Sequence, residues 1–243
     1  MIDFLCIGAQ KSGTTLLYEH LKHIDEIFLP YRKELHYFDD NTHYFNKDIK
    51  YHDFFTKASK SQKRGEITPA YLFFDYVPQR IKKTVKDDLK FIVLLRNPVY
   101  RAYSQYNMSL KVQHHETLSF EEALIYENYR MSSHEDHVNF SYLSRGFYSK
   151  QIENYFKYFK KQQFMFILYE NFVQEQNKYI NEILQFIGID KEVNIENLTV
   201  FKNSYHKMNA NTEKILHLIY KNEIDYLENL IDMNLNIWRE NIK

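Results

Sequence analysis

Two spacings of apolar residues alternate along this chain. Short runs dominated by strand formers occupy residues 2–7 (IDFLCI) and 90–95 (KFIVLL), the second closing on Arg96. Runs of this length and character read as strands buried on both faces. QQFMFILYE at 162–170 is a third strand candidate and RGEIT at 64–68 a shorter fourth. Beyond Gly13 the period changes: Leu17, Leu21 and Ile24 fall at i, i+4 and i+7, so a helix follows with Thr14 or Thr15 near its first turn. Pro98 suits the first position of a second such helix. Helical spacing also covers 50–58, 78–86, 119–130, 147–160, 176–187 and 212–233. Strands alternating with helices predict an α/β fold, a parallel sheet flanked by helices on both faces. No repeat, low-complexity tract or linker divides residues 1–243, so a single domain is expected.

Charge and cysteine content narrow the partners. The 32 basic and 32 acidic side chains give a formal net charge of +0, which removes the footprint that nucleic-acid or anionic-membrane binding requires. Any anion site must therefore be local. The lone Cys6 excludes an intrachain disulfide and fits a reducing compartment, where it packs as a small hydrophobe. No apolar stretch approaches the ~18 residues a membrane span needs, and a start on a strand bearing Asp3 argues against a signal peptide. The expected location is cytoplasmic. Nothing in the sequence sets the oligomeric state. The 21 Tyr and 19 Phe read as core filler.

The sequence FLCIGAQKSGTTLLYEHL, residues 4–21, places two of the five glycines, Gly8 and Gly13, at the spacing of a phosphate-binding loop. Thr14 stands where such a loop carries lysine, and the one nearby lysine is Lys11, inside the turn. A glycine turn running into a helix N-terminus makes an anion cradle. Here it offers amides from Ser12 to Thr15, the hydroxyls of Ser12, Thr14 and Thr15, and the Lys11 ammonium. That set suits a ligand with one phosphate in the cradle and a transferable group beyond it. An incidental lysine in a glycine turn is the competing reading.

At this point the residues resemble a known family. GAQKSGTTLLYEHL resembles the 5′-phosphosulfate loop of sulfotransferases that use 3′-phosphoadenosine 5′-phosphosulfate (PAPS), and RNPVYRAYSQY at 96–106 is similar to their 3′-phosphate motif. KELHYFD at 33–39 and GEITPAYL at 65–72 resemble the carbohydrate branch typified by heparan sulfate sulfotransferases, and SRGFYSKQIENYFKYF at 144–159 resembles bacterial members. The resemblance implies a P-loop-like sheet, PAPS as donor, desulfonated 3′,5′-phosphoadenosine (PAP) as by-product, no metal, and a saccharide or glycolipid hydroxyl as acceptor. It implies donor binding by Lys11, Ser12, Gly13, Thr14, Thr15, Arg96 and Ser104. It also implies Glu34 as base, with His36 and Asp39 orienting it or the acceptor. A histidine serves in the phenol and steroid branch, so His36 is the reserve base.

The chemistry of the donor agrees with these positions. PAPS carries two separate anionic ends, so it needs two anion sites; Arg96 at a strand end and Ser104 about two helical turns on can converge on one phosphate. Lys11 is assigned to the charge that develops as the sulfuryl group leaves. If residues 33–39 are extended, Glu34 and His36 share a face while Asp39 has the wrong parity unless the chain bends. Gly65 is expected to let the backbone turn and Pro69 to stiffen it; Glu66 bonds either backbone amides or the acceptor. Arg101 is given no role, since a solvated helix position accounts for it equally well. Arg145, Gly146 and Tyr148 serve either the nucleotide or helix packing.

Three positions depart from the carbohydrate pattern. Ile67 stands near a lysine that contacts acidic sugar, Met108 stands where some relatives have histidine, and FKNSYHKMNANTEK lacks the Lys-Gly-Arg loop, leaving Lys202 or Lys207 as substitutes. Two other classes stay open. A P-loop small-molecule kinase would need the absent lysine and a magnesium-binding aspartate; a non-catalytic nucleotide-binding protein would keep the cradle without turnover.

Overall fold

A computed structural model of the chain describes residues 2–85, 87–200 and 206–239. In chain order the main elements are β1 (Phe4–Gly8), α1 (Thr14–Leu21), β2 (Ile27–Phe28), β3 (Lys63–Ile67), α2 (Val77–Thr84), β4 (Lys90–Leu95) and α3 (Pro98–Lys111). There follow α4 (Phe120–Ile125), α5 (Tyr148–Phe156), β5 (Phe164–Leu168), α6 (Gln176–Phe186) and α7 (Ala210–Ile231). They fall into two compact units, residues 1–95 with 154–202, and residues 96–153 with 203–243.

The first unit is built on a five-stranded sheet in the order β2-β3-β1-β4-β5, with every pairing parallel. Parallel strands need covering on their faces, which is why β1 and β4 are apolar throughout most of their length. Phe4, Cys6, Ile67, Ile92 and Leu94 join Leu16, Leu17 and Leu21 of α1 and Ile180, Ile183 and Leu184 of α6 in one core. Burial pushes the Cys6 thiol up to about 12, so it packs and does not react. Strand order reverses around central β1, and the crevice at such a switch point opens beyond the carboxyl ends of the strands. The loop after Gly8 starts there, with the Ala9 amide donating to the Leu94 carbonyl at 2.6 Å.

Several expectations change. Residues 50–58 form only a 3₁₀ turn at Tyr51–Phe55, because Tyr51 and Phe55 are both drawn into the core while their neighbours stay exposed. Gly65 does not turn the backbone: it pairs with Phe4 inside β3, where an added Cβ would lie 2.0 Å from the Phe4 ring. Its small size serves close approach, not a bend. The helical pattern at 119–130 breaks at Tyr126 into α4 and a single turn, Glu127–Arg130. Glu127 is turned inward there, accepting from the amides of Leu143 at 2.5 Å and Ser144 at 2.8 Å.

In the second unit, α3 begins as read, with Pro98 in its first turn and the Asn97 side chain accepting from the Val99 amide at 3.0 Å. α7 buries Leu216, Tyr220, Ile224, Leu227 and Ile231. Arg101 is wholly buried, not solvated: Nη1 donates to Gln105 Oε1 at 2.8 Å and Nη2 to the Tyr142 carbonyl. Among the described residues no helix is long and apolar enough to cross a membrane.

Candidate active site

The loop leaving β1 has the backbone its sequence suggests. Gly13, at φ 89°, caps α1 in the left-handed region, and an added Cβ would meet Tyr169 Cδ2 at 2.8 Å. Lys11 is also left-handed, at φ 69°. No acidic residue stands in the first turn of α1, so nothing there opposes an anion at the helix N-terminus. Thr14 is buried, while Lys11, Gly13 and Thr15 are partly exposed. Ser12 is fully buried and its Oγ has no hydrogen-bond partner among the described residues. A buried hydroxyl left without a partner is uncommon and calls for one.

Residues 33–39 lie at the carboxyl end of the neighbouring strand, since the Glu34 amide donates to the Ile67 carbonyl at 3.2 Å and Ile67 is in register with Cys6 of β1. The segment is not extended. Glu34 (φ 61°) and His36 (φ 53°) are both left-handed, and these two reversals supply the bend that brings Asp39 to the histidine. His36 Nδ1 lies 2.8 Å from Asp39 Oδ2, and His36 Nε2 is 3.6 Å from Glu34 Oε2, an ion-pair separation longer than a hydrogen bond. Lys33 Nζ meets the other oxygen of Glu34. Four ionisable side chains thus form a row: Lys33, Glu34, His36, Asp39.

Their electrostatics follow from that order. Burial works against the Glu34 charge, but His36 and Lys33 outweigh it and hold the carboxyl at about 2. Burial likewise opposes the charge of His36, yet Asp39 and then Glu34 raise it to about 10. At neutral pH His36 is therefore an imidazolium with no lone pair to accept a proton, whereas Glu34 is a carboxylate.

The pair predicts a stability profile. His36 is raised above its ordinary 6.5, so its contribution is complete below that value and fades as pH rises through about 10. Glu34 is lowered from 4.5, so its contribution holds above that value and is lost as pH falls through about 2. Urea unfolding of wild type and His36→Gln should differ most below pH 6.5 and converge by about pH 10. A gap that stays constant over that range contradicts the pairing. Because both side chains are about a third exposed, solvent screening keeps the effect small.

The other two candidates lie in the second unit. Arg96, partly exposed, stands one residue before Asn97, the N-terminal cap of α3, and its carbonyl accepts from the Tyr148 hydroxyl at 2.9 Å. Ser104 is on α3 and 6% exposed, so it does not point to solvent as a helix serine often does. Tyr148 is buried and engaged with the backbone, which places it in packing. Arg145 is buried too, donating to the His137 carbonyl at 3.2 Å. Lys207 is exposed, and Lys202 lies outside the described residues.

Sequence reasoning missed the side chains that hold 33–39 in place. Tyr71 takes the Tyr37 amide, Arg80 Nη1 donates to the Phe38 carbonyl at 2.8 Å, and the Tyr76 hydroxyl donates to the Asp39 carbonyl at 2.8 Å. The partners are 34 to 42 residues away in the chain, and no local pattern marks such pairs.

Comparison with known proteins converges on one family. The sulfotransferase domain profile matches residues 1–226. Heparan sulfate glucosamine 3-O-sulfotransferase 3B1 of Mus musculus is 30% identical over 188 residues, which is 77% of this chain and 46% of that protein. The chain thus spans about half the length of the curated relatives it matches. Among solved structures, a sulfotransferase from Alicyclobacillus acidocaldarius superposes with a TM-score of 0.87 at 26% identity, covering 99% of both chains. The mouse sulfotransferase SULT7A1 complexed with PAP shares the fold at a TM-score of 0.52 and 19% identity, covering 80% of this chain and 61% of that one. With a P-loop-like parallel sheet, a glycine loop after its central strand and a profile match over most of its length, the chain belongs to the sulfotransferase domain family.

Proposed function

We propose that this chain, acting as one domain, transfers a sulfuryl group from PAPS to a saccharide or glycolipid hydroxyl, releasing PAP without a metal. The observation that carries this reading is the Ser12 hydroxyl, buried and without a hydrogen-bond partner among the described residues, in a loop that also presents Lys11 and the N-terminus of α1. An orphaned donor, an ammonium and helix amides fit one anionic group. When bound, the donor would supply a mixed phosphoric–sulfuric anhydride whose 5′ phosphate is the leaving group.

Within this proposal Ser12, Gly13, Thr14 and Thr15 hold the 5′-phosphosulfate end through amides and hydroxyls. Lys11 stabilises the charge that grows on the departing phosphate oxygen. Arg96 and Ser104 are assigned the 3′ phosphate on their sequence motif. Glu34 takes the acceptor proton. A carboxylate held at about 2 is a weak base, so the proton moves late, once sulfur–oxygen bonding has made the acceptor oxygen acidic. His36, charged at neutral pH and anchored by Asp39, orients Glu34 and is poorly suited to be the base itself. The saccharide acceptor follows the heparan sulfate relatives, and the single buried Cys6 supports a reducing, cytoplasmic setting.

Thermal-shift titration tests the donor assignment. PAP should raise the unfolding temperature, whereas ATP with magnesium should raise it far less at equal concentration. The reverse ranking supports a P-loop kinase and overturns the proposal. PAP binding without transfer to any glycan, lipid or phenol in a mass-spectrometric screen with PAPS supports a non-catalytic nucleotide-binding protein instead.

A further inference from the structure

We propose that Glu66, which touches no reacting group, is a positioning residue that fixes the Glu34-bearing segment through the Tyr71 hydroxyl. This rests on the reading of Glu34 as the base.

Glu66 is 2% exposed in β3, and among the described residues its carboxylate is met by three hydroxyls. Oε1 accepts from Thr68 Oγ1 and from the Tyr71 hydroxyl, both at 2.7 Å, and Oε2 accepts from the Tyr51 hydroxyl. The Tyr71 hydroxyl in turn faces the amides of Tyr37 at 2.9 Å and Phe38 at 3.4 Å. The direction of this chain is forced. Backbone amides only donate, so the tyrosine oxygen must accept from them and spend its one proton elsewhere. That proton goes to Glu66, whose carboxylate acts purely as an acceptor.

The segment needs such a hold. Two non-glycine residues in the left-handed region, Glu34 and His36, cost of order 1 kcal/mol or more each and persist only where surroundings over-determine them. Carbonyls of the segment are held by Arg80 of α2 on Phe38 and by Tyr76, which caps α2, on Asp39. Its amides at Tyr37 and Phe38 are held by Tyr71, in the 3₁₀ turn Pro69–Leu72 that follows β3. Tyr71 is itself fixed at both ends, since its carbonyl accepts from the Tyr155 hydroxyl at 2.9 Å. Among the contacts described, Glu66 gives the Tyr71 hydroxyl its direction, and the Tyr51 ring it also anchors packs 5.0 Å from the Tyr37 ring.

The test is amide hydrogen exchange together with steady-state kinetics on the full chain. Tyr71→Phe and Glu66→Leu should speed exchange of the Tyr37 amide at least roughly tenfold, with little change at the Leu5 amide in β1. Both should lower kcat about 10–100-fold while leaving PAP affinity unaltered. Glu66→Gln should recover most of both losses, because its amide oxygen can still face Tyr71 while its NH₂ turns to Tyr51. Should Glu66→Leu fail to fold, Tyr71→Phe and Glu66→Gln decide alone. Unchanged Tyr37 exchange in Tyr71→Phe overturns the proposal, as does a parallel fall of kcat and PAP affinity. The exchange arm needs no turnover, so an inactive wild type would discredit the functional reading and leave this relay to be judged separately.

Discussion

Lys11→Ala lowers sulfuryl transfer roughly 10²–10³-fold, the range found when one preorganised charge-stabilising group is removed. The effect is large because the loop has no lysine at the position after Gly13, where Thr14 stands instead. No other ammonium lies within residues 8–15 to take over. PAP affinity should fall much less, since under the proposed reading the Ser12 hydroxyl and the first amides of α1 remain to hold the ground-state anion. Transfer of labelled sulfate measured beside PAP titration separates the two effects. Undiminished turnover, or loss of PAP binding in step with turnover, removes Lys11 from the reaction.

Glu34→Gln is the second large effect: transfer drops about 10²–10⁴-fold, the span that general bases contribute, and the PAP-induced thermal shift stays as in wild type. Glutamine keeps the shape of the side chain and an oxygen that can accept from Lys33, but its other end is a donor and it cannot take up the acceptor proton. The arrangement also explains why His36 does not rescue it. Asp39, the larger of the two carboxylate influences on the ring, still meets Nδ1 and favours the imidazolium, which has no lone pair to accept a proton. Normal sulfation by Glu34→Gln moves the base elsewhere.

The loop and the helix behind it were readable because their signals are local. An apolar run, a glycine spacing and a 3.6-residue period each occupy fewer than about 20 residues and need no partner from elsewhere. The start of α3 was legible for the same reason: Asn97 and Pro98 shape it by themselves. The 33–39 segment was legible only in its residue types. Read as extended, it separates Asp39 from His36; left-handed turns at Glu34 and His36 join them, and positive φ is uncommon for a glutamate and only modestly favoured by a histidine. Gly65 misled in the opposite sense, its conformational freedom being irrelevant beside the space that Phe4 takes. Arg101 looked like a solvated helix residue because its partners, Gln105 and the Tyr142 carbonyl, include one 41 residues away.

By itself the sequence determined the parallel α/β architecture, the glycine loop after β1 and the list of chemically competent side chains, since periodicity, composition and residue type are properties of neighbouring positions. Only the tertiary structure decided which of those side chains meet: the Lys33–Glu34–His36–Asp39 row, the burial of Ser12, and the hydroxyls gathered on Glu66. Charge states and hydrogen-bond directions depend on distance in space and on exclusion of water, and both arise when segments far apart in the chain close over one another.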